Sequence, residues 1–239
     1  MLLEARGIVK AFGAFHAVDG ADLLLQEAEL LGLIGPNGAG KSTFFNCLSG
    51  DTRPTAGTIR FRGTEVTTRP PDAHGRLGLA RTFQVPIVFD TMTVRENVMV
   101  GAFLRHAQRR AAAEKADEVL AFTGLAEQAN LPATALGTPG RKRLEIARAL
   151  ATEPVLLLLD EALAGLPSSE VEAAIDLVRR IHARGITLIV VEHIMEVIHR
   201  LTQRVLVFNQ GRVIAEGTPA EVTADPAVIT AYLGRRARK

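Results

Sequence analysis

The first part of the chain alternates short apolar runs with glycine-rich and proline-rich turns, a pattern typical of β-strands. These runs surround one long glycine-rich stretch, GPNGAGKST, which leads into an amphipathic helix carrying Phe44, Phe45 and Leu48. Gly50 ends that helix, because glycine is a common helix stop. The predicted strands cover residues 8–9, 23–25, 30–34, 58–61 and 79–83.

In the middle of the chain the apolar residues recur at helical rather than alternating spacing. Thr93 and Glu96 have the spacing of a capping box, in which the two residues satisfy the first amides of a helix. Residues 107–123 are rich in alanine, glutamate and leucine, and Gly124 ends the run. The pattern therefore predicts that residues 85–150 form a mostly helical unit inserted into the fold.

After Pro154 the chain returns to alternating strands and helices, as expected for buried parallel strands covered by helices. The predicted elements are a strand at 155–159, a helix at 170–183 behind a Ser169–Glu172 capping box, a strand at 186–191, a helix at 194–201, a hairpin around Asn209-Gln210-Gly211 and two short helices opened by Thr218 and Asp225. We therefore predict an α/β fold in which residues 1–84 and 151–239 form a core around the helical unit.

Composition and charge narrow the class of protein. A chain of 239 residues with 47% apolar and 23% charged residues can bury a full core, and its net charge of +2 gives no reason to expect a nucleic-acid partner. No apolar run reaches the roughly 18 residues that span a bilayer, and Glu4 and Arg6 interrupt any signal peptide. The single cysteine, Cys47, fits a reducing cytoplasm. The basic residues 234–239, GRRARK, are predicted to be a solvated tail.

The glycine-rich stretch matches the phosphate-binding pattern G-x-x-x-x-G-K-[ST] and lies between a predicted strand and a predicted helix. Its residues, all candidates for nucleotide binding, are Gly35, Pro36, Asn37, Gly38, Ala39, Gly40, Lys41, Ser42 and Thr43. The glycines let backbone amides converge on phosphate oxygens, and the helix N-terminus attracts anions. Lys41 is expected to reach the outer phosphates and Ser42 to bind magnesium.

Two polar groups follow predicted buried strands. Asp160 and Glu161 come directly after one strand and His193 after the next, so adjacent strands would bring them to one rim of the sheet. Asp160 suits a magnesium shell, and Glu161 suits the polarisation of an attacking water. Without the phosphate loop, the carboxylate pair would equally fit a solvated strand end and His193 a structural histidine.

Six features stand in the order found in the ATP-binding subunits of ABC transporters. They are Phe12 in KAFG, GPNGAGKST, Gln84 in RTFQ, LGTPGRKRLEIARAL, LLLLDE and VVEH. The chain resembles that family from about residue 3 to residue 234. The resemblance implies a P-loop NTPase core of the RecA type, with an antiparallel β subdomain and an inserted α-helical subdomain.

The resemblance also implies a role for each matching residue, with ATP and Mg²⁺ as cofactors. The implied roles are adenine stacking by Phe12, magnesium binding by Ser42, Gln84 and Asp160, catalysis by Glu161 with Gln84 and His193, and contact with the γ-phosphate by His193. Gln84 would in addition connect the site to the membrane partner. The expected partners are integral membrane permease subunits and a second ATP-binding subunit, forming a homodimer or a heterodimer at the cytoplasmic face of the inner membrane.

Within the family, the similarity is greatest to the ATPases of branched-chain amino-acid importers, which work with an extracytoplasmic solute-binding protein. It is carried by ARTFQVPIVFDTMTVRENVMVGAF, RKRLEIARALA, VVEHIMEVI and the tail NQGRVIAEGTPAEVTADPAVITAYLG. Three alternatives remain open at this point: an ATPase of another ABC system such as lipopolysaccharide export, an ABC ATPase acting on nucleic acid, and a regulatory module with little turnover.

The loop LGTPG departs from the LSGGQ signature that contacts the ATP of the opposite subunit. Gly137 replaces a serine and Pro139 replaces a glycine, so a hydroxyl and an N–H donor are missing, while Gly137 and Gly140 keep their amides. The helix is expected to begin near Arg141. Pro167 is a further departure, in the loop that couples the two sites. We expect a competent site at the phosphate loop and a weak one at LGTPG.

Overall fold

The computed structural model describes residues 1–233, and the predicted basic tail at 234–239 lies outside that part. The smaller of two sheets is antiparallel, with the strand order β2-β1-β4-β5. Its strands are β1 (Leu3–Phe12), β2 (Phe15–Leu25), β4 (Ala56–Phe61) and β5 (Thr64–Glu65). β1 and β2 are much longer than the short apolar runs predicted, because the hairpin turns only between Phe12 and Phe15, where Gly13 has a φ of +61°.

The larger sheet has the order β10-β9-β3-β8-β7-β6 and is parallel except for β10. Its strands are β3 (Leu30–Ile34), β6 (Leu79–Arg81), β7 (Leu156–Asp160), β8 (Thr187–Val191), β9 (Arg204–Asn209) and β10 (Arg212–Gly217). Every residue of β3, β7 and β8 is buried, which explains their continuous apolar sequence. The predicted α/β fold is confirmed, and so is the hairpin at Asn209-Gln210-Gly211, where residues 210 and 211 both have positive φ.

Nine α-helices and two short 3-10 turns connect the strands within residues 1–233. The helices are α1 (Lys41–Leu48), α2 (Pro71–Leu77), α3 (Val94–Ala102), α4 (Arg109–Thr123), α5 (Thr138–Leu150), α6 (Ser168–Ala183), α7 (Met195–Leu201), α8 (Pro219–Ala224) and α9 (Pro226–Leu233). None of these helices has the length and apolar character needed to cross a membrane. Helices α3, α4 and α5 occupy most of the stretch predicted to be a helical unit.

The two faces of β7 belong to different hydrophobic clusters. Leu157 and Leu159 pack in the cluster that contains helices α3 to α6, whereas Leu156 and Leu158 pack with α1 and the antiparallel sheet. Because successive side chains of a strand point to opposite faces, the four leucines of β7 pack alternately into the two cores. Both cores therefore fix the position of the carboxyl end of β7, where Asp160 lies.

The helix starts test the capping predictions directly. The box at Thr93 is formed and is confirmed. Thr218 opens α8 as predicted, and it also forms a capping box with Glu221. The predicted box at Ser169 is wrong: α6 begins at Ser168 after Pro167, with no side-chain cap. Glu172 instead binds both terminal nitrogens of Arg200, at 2.5 and 2.6 Å, so its carboxylate is directed away from the helix start.

Candidate active site

A cavity of about 740 Å³ lies where the carboxyl ends of the central parallel strands meet the start of α1. It is lined by Phe15, Ala17, the whole phosphate loop from Gly35 to Thr43, Gln84, Glu161, His193 and Tyr232. The pocket brings together four of the predicted site features: the phosphate loop, Gln84, Glu161 and His193. Open α/β sheets bind ligands at this edge.

The phosphate loop presents unpaired backbone amides to the cavity. Helix α1 begins at Lys41 after Gly40, whose φ is +103° and which supplies no side-chain cap. The first amides of a helix have no partner inside it, so those of Lys41, Ser42 and Thr43 are available to an anion. Together with the helix dipole they make this end of the cavity a phosphate site.

Lys41 is buried within the loop that it serves. Its Nζ atom donates hydrogen bonds to the carbonyl oxygens of Gly35, at 2.7 Å, and Pro36, at 3.1 Å. Burial lowers the pKa of Lys41, and the nearby carboxylates of Glu161 and Asp160 oppose that shift. The ammonium group is thus held at the mouth of the loop, beside the acidic strand end.

Asp160 ends β7 with its carboxylate in contact with an arginine that the sequence analysis did not single out. Arg81 places Nη2 3.4 Å from Asp160 Oδ2 and Nη1 2.8 Å from Asp51 Oδ2. Burial raises the pKa of Asp160 above its ordinary value, and the positive charge of Arg81 opposes this. Asp160 is only 4% exposed, so its charge depends on nearby cations.

Glu161 and Gln84 are in direct contact across the cavity. Gln84 Nε2 donates to Glu161 Oε2 at 2.8 Å, and the backbone N–H of Glu161 donates to the carbonyl of Val191 at 3.0 Å. The latter bond exists because β7 and β8 are neighbouring parallel strands with Asp160 paired to Val191. The same pairing brings His193 to the rim, as predicted for adjacent strands.

Two aromatic residues in the cavity wall were missed by the sequence analysis. Phe15 lines the cavity, whereas its cross-strand partner Phe12 does not and instead lies 56% exposed under the ammonium group of Lys10. Tyr232, in the last helix, closes another part of the wall. The alternating pattern of β2 could have indicated that Phe15 faces the cavity. No sequence pattern near α9 indicates that this helix packs against the site.

The LGTPG loop lies outside this cavity and opens helix α5. The helix begins at Thr138 with Gly137 as its N-cap, so the predicted start near Arg141 is wrong by about a turn. Pro139 explains the difference, since the first helical turn tolerates proline, whose missing N–H would have no partner there. The exposed amides at this helix start belong to Gly137, Thr138 and Gly140.

A phosphate loop at the turn from β3 to α1, facing carboxylates at the end of another parallel strand of the same sheet, defines a P-loop ATPase. The family model for ABC transporters matches residues 18–164, and the model for branched-chain amino acid ATP-binding cassette transporters matches residues 212–238. The chain therefore belongs to the ABC transporter family and is an ABC-type ATPase, as the six ordered motifs predicted.

Relatives with similar sequences cover nearly the whole chain. The high-affinity branched-chain amino acid transport ATP-binding protein LivG of Salmonella typhimurium is 39% identical over 249 residues, with 98% of each chain covered. The corresponding protein BraF of Pseudomonas aeruginosa is 38% identical over the same length. These similarities extend through both the motif-bearing core and the C-terminal elements.

Solved structures confirm the fold class. The ADP conformation of MJ1267, an ATP-binding cassette of an ABC transporter, is 30% identical and superposes with a TM-score of 0.88, covering 98% of this chain and 99% of that one. A dimeric post-hydrolysis cassette, MJ0796 bound to ADP and phosphate, is similar in fold, with a TM-score of 0.83 at 24% identity.

Proposed function

We propose that this chain is the ATP-hydrolysing subunit of an ABC importer that drives uptake of branched-chain or related amino acids through a membrane permease. Both named relatives are ATP-binding proteins of branched-chain amino acid transport, and the C-terminal family model carries the same designation. The single observation that carries the ATPase part is that the hydrogen-bonded pair Glu161 and Gln84 lines the same cavity as the phosphate loop.

In this proposal, the phosphates of ATP bind the free amides of the loop and the ammonium group of Lys41. The base lies toward the Phe12–Phe15 hairpin, where exposed aromatic rings are available for stacking. This assigns the polar end of the cavity to the γ-phosphate, beside Glu161 and His193. His193 lies within reach of a donor role there because it lines the same wall.

Ser42, Gln84 and Asp160 would hold Mg²⁺. A hydroxyl, an amide oxygen and a carboxylate are the hard oxygen ligands that this ion prefers. Burial raises the pKa of Asp160 although Arg81 and Lys41 are near it, so a divalent cation would further stabilise its charged form. When bound, the ion neutralises charge on the phosphates during transfer.

Glu161 would orient and polarise the water that attacks the γ-phosphate. Its carboxylate faces the cavity and is held by the amide of Gln84, so movement of Gln84 changes the position of the carboxylate. Phosphoryl transfer requires alignment and charge neutralisation more than covalent help from the protein. Gln84 is therefore suited to connect nucleotide state with the adjoining surface.

We place the permease contact on the segment that follows Gln84 and on the adjoining groove. The side chains of Val85, Ile87 and Phe89 are 74%, 55% and 42% exposed, which is unusual for a cluster of large apolar residues. Buried Asn97 clamps this segment by bonding both the N–H and the carbonyl of Phe89. A rigidly held apolar patch next to the catalytic amide can transmit motion to a membrane protein.

The remaining partners follow from the same proposal. A second ATP-binding subunit would place its nucleotide against the start of α5, where Gly137 and Gly140 offer amides. The assembly would sit as a peripheral complex at the cytoplasmic face of the inner membrane. An extracytoplasmic solute-binding protein would take part only through the permease.

The direct test is steady-state ATP hydrolysis by the full chain with Mg²⁺, compared with Glu161→Gln. Loss of a catalytic acid–base group costs about 100-fold or more in kcat, and we expect that loss with nucleotide binding retained. Glu118→Gln, on the exposed face of α4, is the matched control and should keep full activity. Absence of turnover in both proteins would leave only the regulatory module, whereas equal measurable turnover would reject the catalytic role of Glu161.

Purification from membranes tests the transport part of the proposal. We expect the chain to bring down permease subunits, and vesicles containing the complex to accumulate leucine when ATP is supplied. Recovery with RNA instead would support an ABC ATPase that acts on nucleic acid. A permease complex that moves lipopolysaccharide but not amino acids would leave the ATPase intact and reassign its solute.

A further inference from the structure

Glu161 has a backbone conformation that glutamate rarely adopts. Its φ is +48°, in the left-handed region that favours glycine, and it directly precedes an irregular loop between β7 and α6. Such a residue keeps this conformation only when its surroundings hold it there. The contacts around residues 161–164 therefore show which groups determine the direction of this carboxylate.

The first of these groups is Lys142, in the second turn of α5. Its Nζ atom donates to the carbonyl oxygen of Glu161 at 2.7 Å and to that of Ala164 at 2.6 Å. Lys142 is only 9% exposed and does not line the nucleotide cavity. Burial lowers its pKa, and the negative charge of nearby Glu192 is the largest opposing influence. One ammonium group thus bridges both ends of the turn that carries Glu161.

The second group is Glu192, which directly precedes His193. Glu192 is fully buried, and its Oε1 accepts a hydrogen bond from the N–H of Leu163 at 2.9 Å. Its other oxygen, Oε2, is buried without a hydrogen-bond partner in the described chain. Burying a carboxylate costs free energy, so the position of Glu192 beside residues 161–164 indicates that it holds this loop in place. Residues 161–164 are held by α5 on one side and by the end of β8 on the other.

We propose that Lys142 and Glu192 are positioning residues that hold the backbone of Glu161 in the left-handed conformation and so aim its carboxylate at the nucleotide. Lys142 stands one turn beyond the LGTPG loop on the same helix. A displacement of the α5 start by a partner's nucleotide is therefore passed through one side chain to this subunit's own carboxylate. The inference rests on the proposed role of Glu161 in hydrolysis.

The primary test is Lys142→Met, which keeps most of the side-chain volume and removes the donor. We expect kcat for ATP hydrolysis by the full chain in its membrane-purified assembly to fall about 10-fold to 100-fold, since a hydrogen bond from a charged group is lost. The Kd for a fluorescent ATP analogue should stay within about 2-fold, because Lys142 does not contact the cavity. Lys142→Arg should restore much of kcat. Lys115→Met should match the parent, because Lys115 is a half-buried lysine of α4 that bonds Glu118 and Glu153 and does not line the cavity.

A purely structural lysine predicts a different result, in which kcat falls only together with nucleotide binding and melting temperature. That pattern, or an unchanged kcat in a folded Lys142→Met protein, would overturn the proposal. Glu192→Ala provides a second reading if Lys142→Met does not fold. It removes the acceptor for Leu163 and should lower kcat with Kd retained, whereas Glu192→Gln keeps an acceptor and should be milder. Equal kcat for both Glu192 variants and the parent counts against the role.

Combination with Glu161→Gln shows whether Lys142 acts through Glu161. If it does, Lys142→Met lowers kcat in the parent but leaves the small residual rate of Glu161→Gln unchanged. An equal fold-loss in both backgrounds contradicts the inference. Full activity of Glu161→Gln would instead reject the proposed catalytic role of Glu161, so the two failures are distinguishable.

Discussion

Two glycine-rich loops open helices in this protein, and only one of them is forced by packing to contain glycine. A Cβ atom on Gly35 would lie 2.2 Å from the carbonyl oxygen of Phe208, and one on Gly40 would lie 2.3 Å from that of Ala17. Gly137 in the LGTPG loop has its nearest neighbour, Pro139 Cδ, 3.9 Å from the same point and an ordinary φ of −67°. The phosphate loop is fixed by its surroundings, whereas position 137 of LGTPG is free to vary and position 140 is only moderately crowded, with Leu136 Cβ 3.2 Å from the added atom.

This difference changes how the unusual signature sequence is understood. A serine at position 137 would fit without strain, so no steric constraint explains the missing hydroxyl. Pro139 is equally compatible with the first turn of α5, and it removes one N–H from the start of that helix, where we propose that a second subunit binds. Neither departure is required by the packing of α5. In the proposed role of this loop, both would change ligand contacts and leave folding unaffected.

The largest effect should follow from Gly40→Ala. Adopting a positive φ costs about 1–2 kcal/mol for a residue with a Cβ, and overpacking adds about 1–3 kcal/mol. For a chain of this size we expect the melting temperature to fall by roughly 10 °C, with loss of nucleotide binding. Gly124→Ala is a matched control, because its φ is +75° but nothing lies within 4 Å of the added atom. If Gly40→Ala and Gly124→Ala lower the melting temperature equally, the loss of stability comes from the positive φ alone and not from overpacking.

Lys41→Ala should weaken nucleotide binding without a comparable loss of stability. The ammonium group bonds two carbonyls in the free loop and is expected to exchange them for phosphate oxygens. Loss of such charge-assisted bonds predicts about 100-fold weaker binding of a fluorescent ATP analogue. Protection of the parent by Mg-ATP against heating should disappear in the variant. If both proteins were protected equally, the phosphate loop would not be the nucleotide site.

The double change Gly137→Ser with Pro139→Gly should strengthen the other loop. It restores a hydroxyl and an N–H donor at the start of α5 without steric conflict at position 137. One or two recovered hydrogen bonds to a phosphate predict ATP turnover that is about 10-fold faster. The measurement is kcat in the purified transporter, with Ala121→Ser, at an exposed position of α4, as a control for surface change. Unchanged turnover would mean that LGTPG does not limit hydrolysis.

The helices behind the two loops also differ, since α5 buries a carboxylate where α1 buries aromatic and aliphatic residues. Burial raises the pKa of Glu145 to about 7, although the backbone N–H groups of Ile87 and Phe83 oppose the shift. The folded state then binds an extra proton between about pH 4.5 and 7, so stability falls as pH rises through that window.

Glu145→Gln should remove this dependence. We expect its free energy of unfolding to exceed that of the parent by about 1 kcal/mol at pH 8 and to converge with it near pH 5. The full pKa shift of Glu145 corresponds to a larger difference in the free energy of unfolding. A glutamine amide, however, reproduces only part of the hydrogen bonding to the two backbone N–H donors. Denaturant unfolding at both pH values measures the difference, and parallel stability profiles would contradict the assignment.

Much of this site was predictable because its signals are local. The phosphate loop, the acidic end of β7 and the histidine after β8 each follow an apolar run of strand length, and strand adjacency then brings them together. The capping boxes at Thr93 and Thr218 are local in the same sense. These features require only short-range chemistry and the rule that parallel strands end at one edge.

The groups that support the site could not be read in this way. Arg81 reaches Asp160 from 79 positions away, and Lys142 reaches the Glu161 carbonyl from the next subdomain. The predicted capping box at Ser169 does not form for the same reason, because Arg200, 28 positions away, donates hydrogen bonds to the Glu172 carboxylate. Long flexible side chains choose partners from the assembled fold, so their contacts leave no spacing pattern in the sequence.

The backbone of Glu161 has a consequence for the history of such chains. Holding a glutamate in the left-handed region costs about 1–2 kcal/mol that a glycine would not incur. A lineage selected only for heat resistance would gain by replacing it, and would lose the carboxylate in the process. Given the proposed role of Glu161 in hydrolysis, thermal stability and turnover make opposite demands on this position.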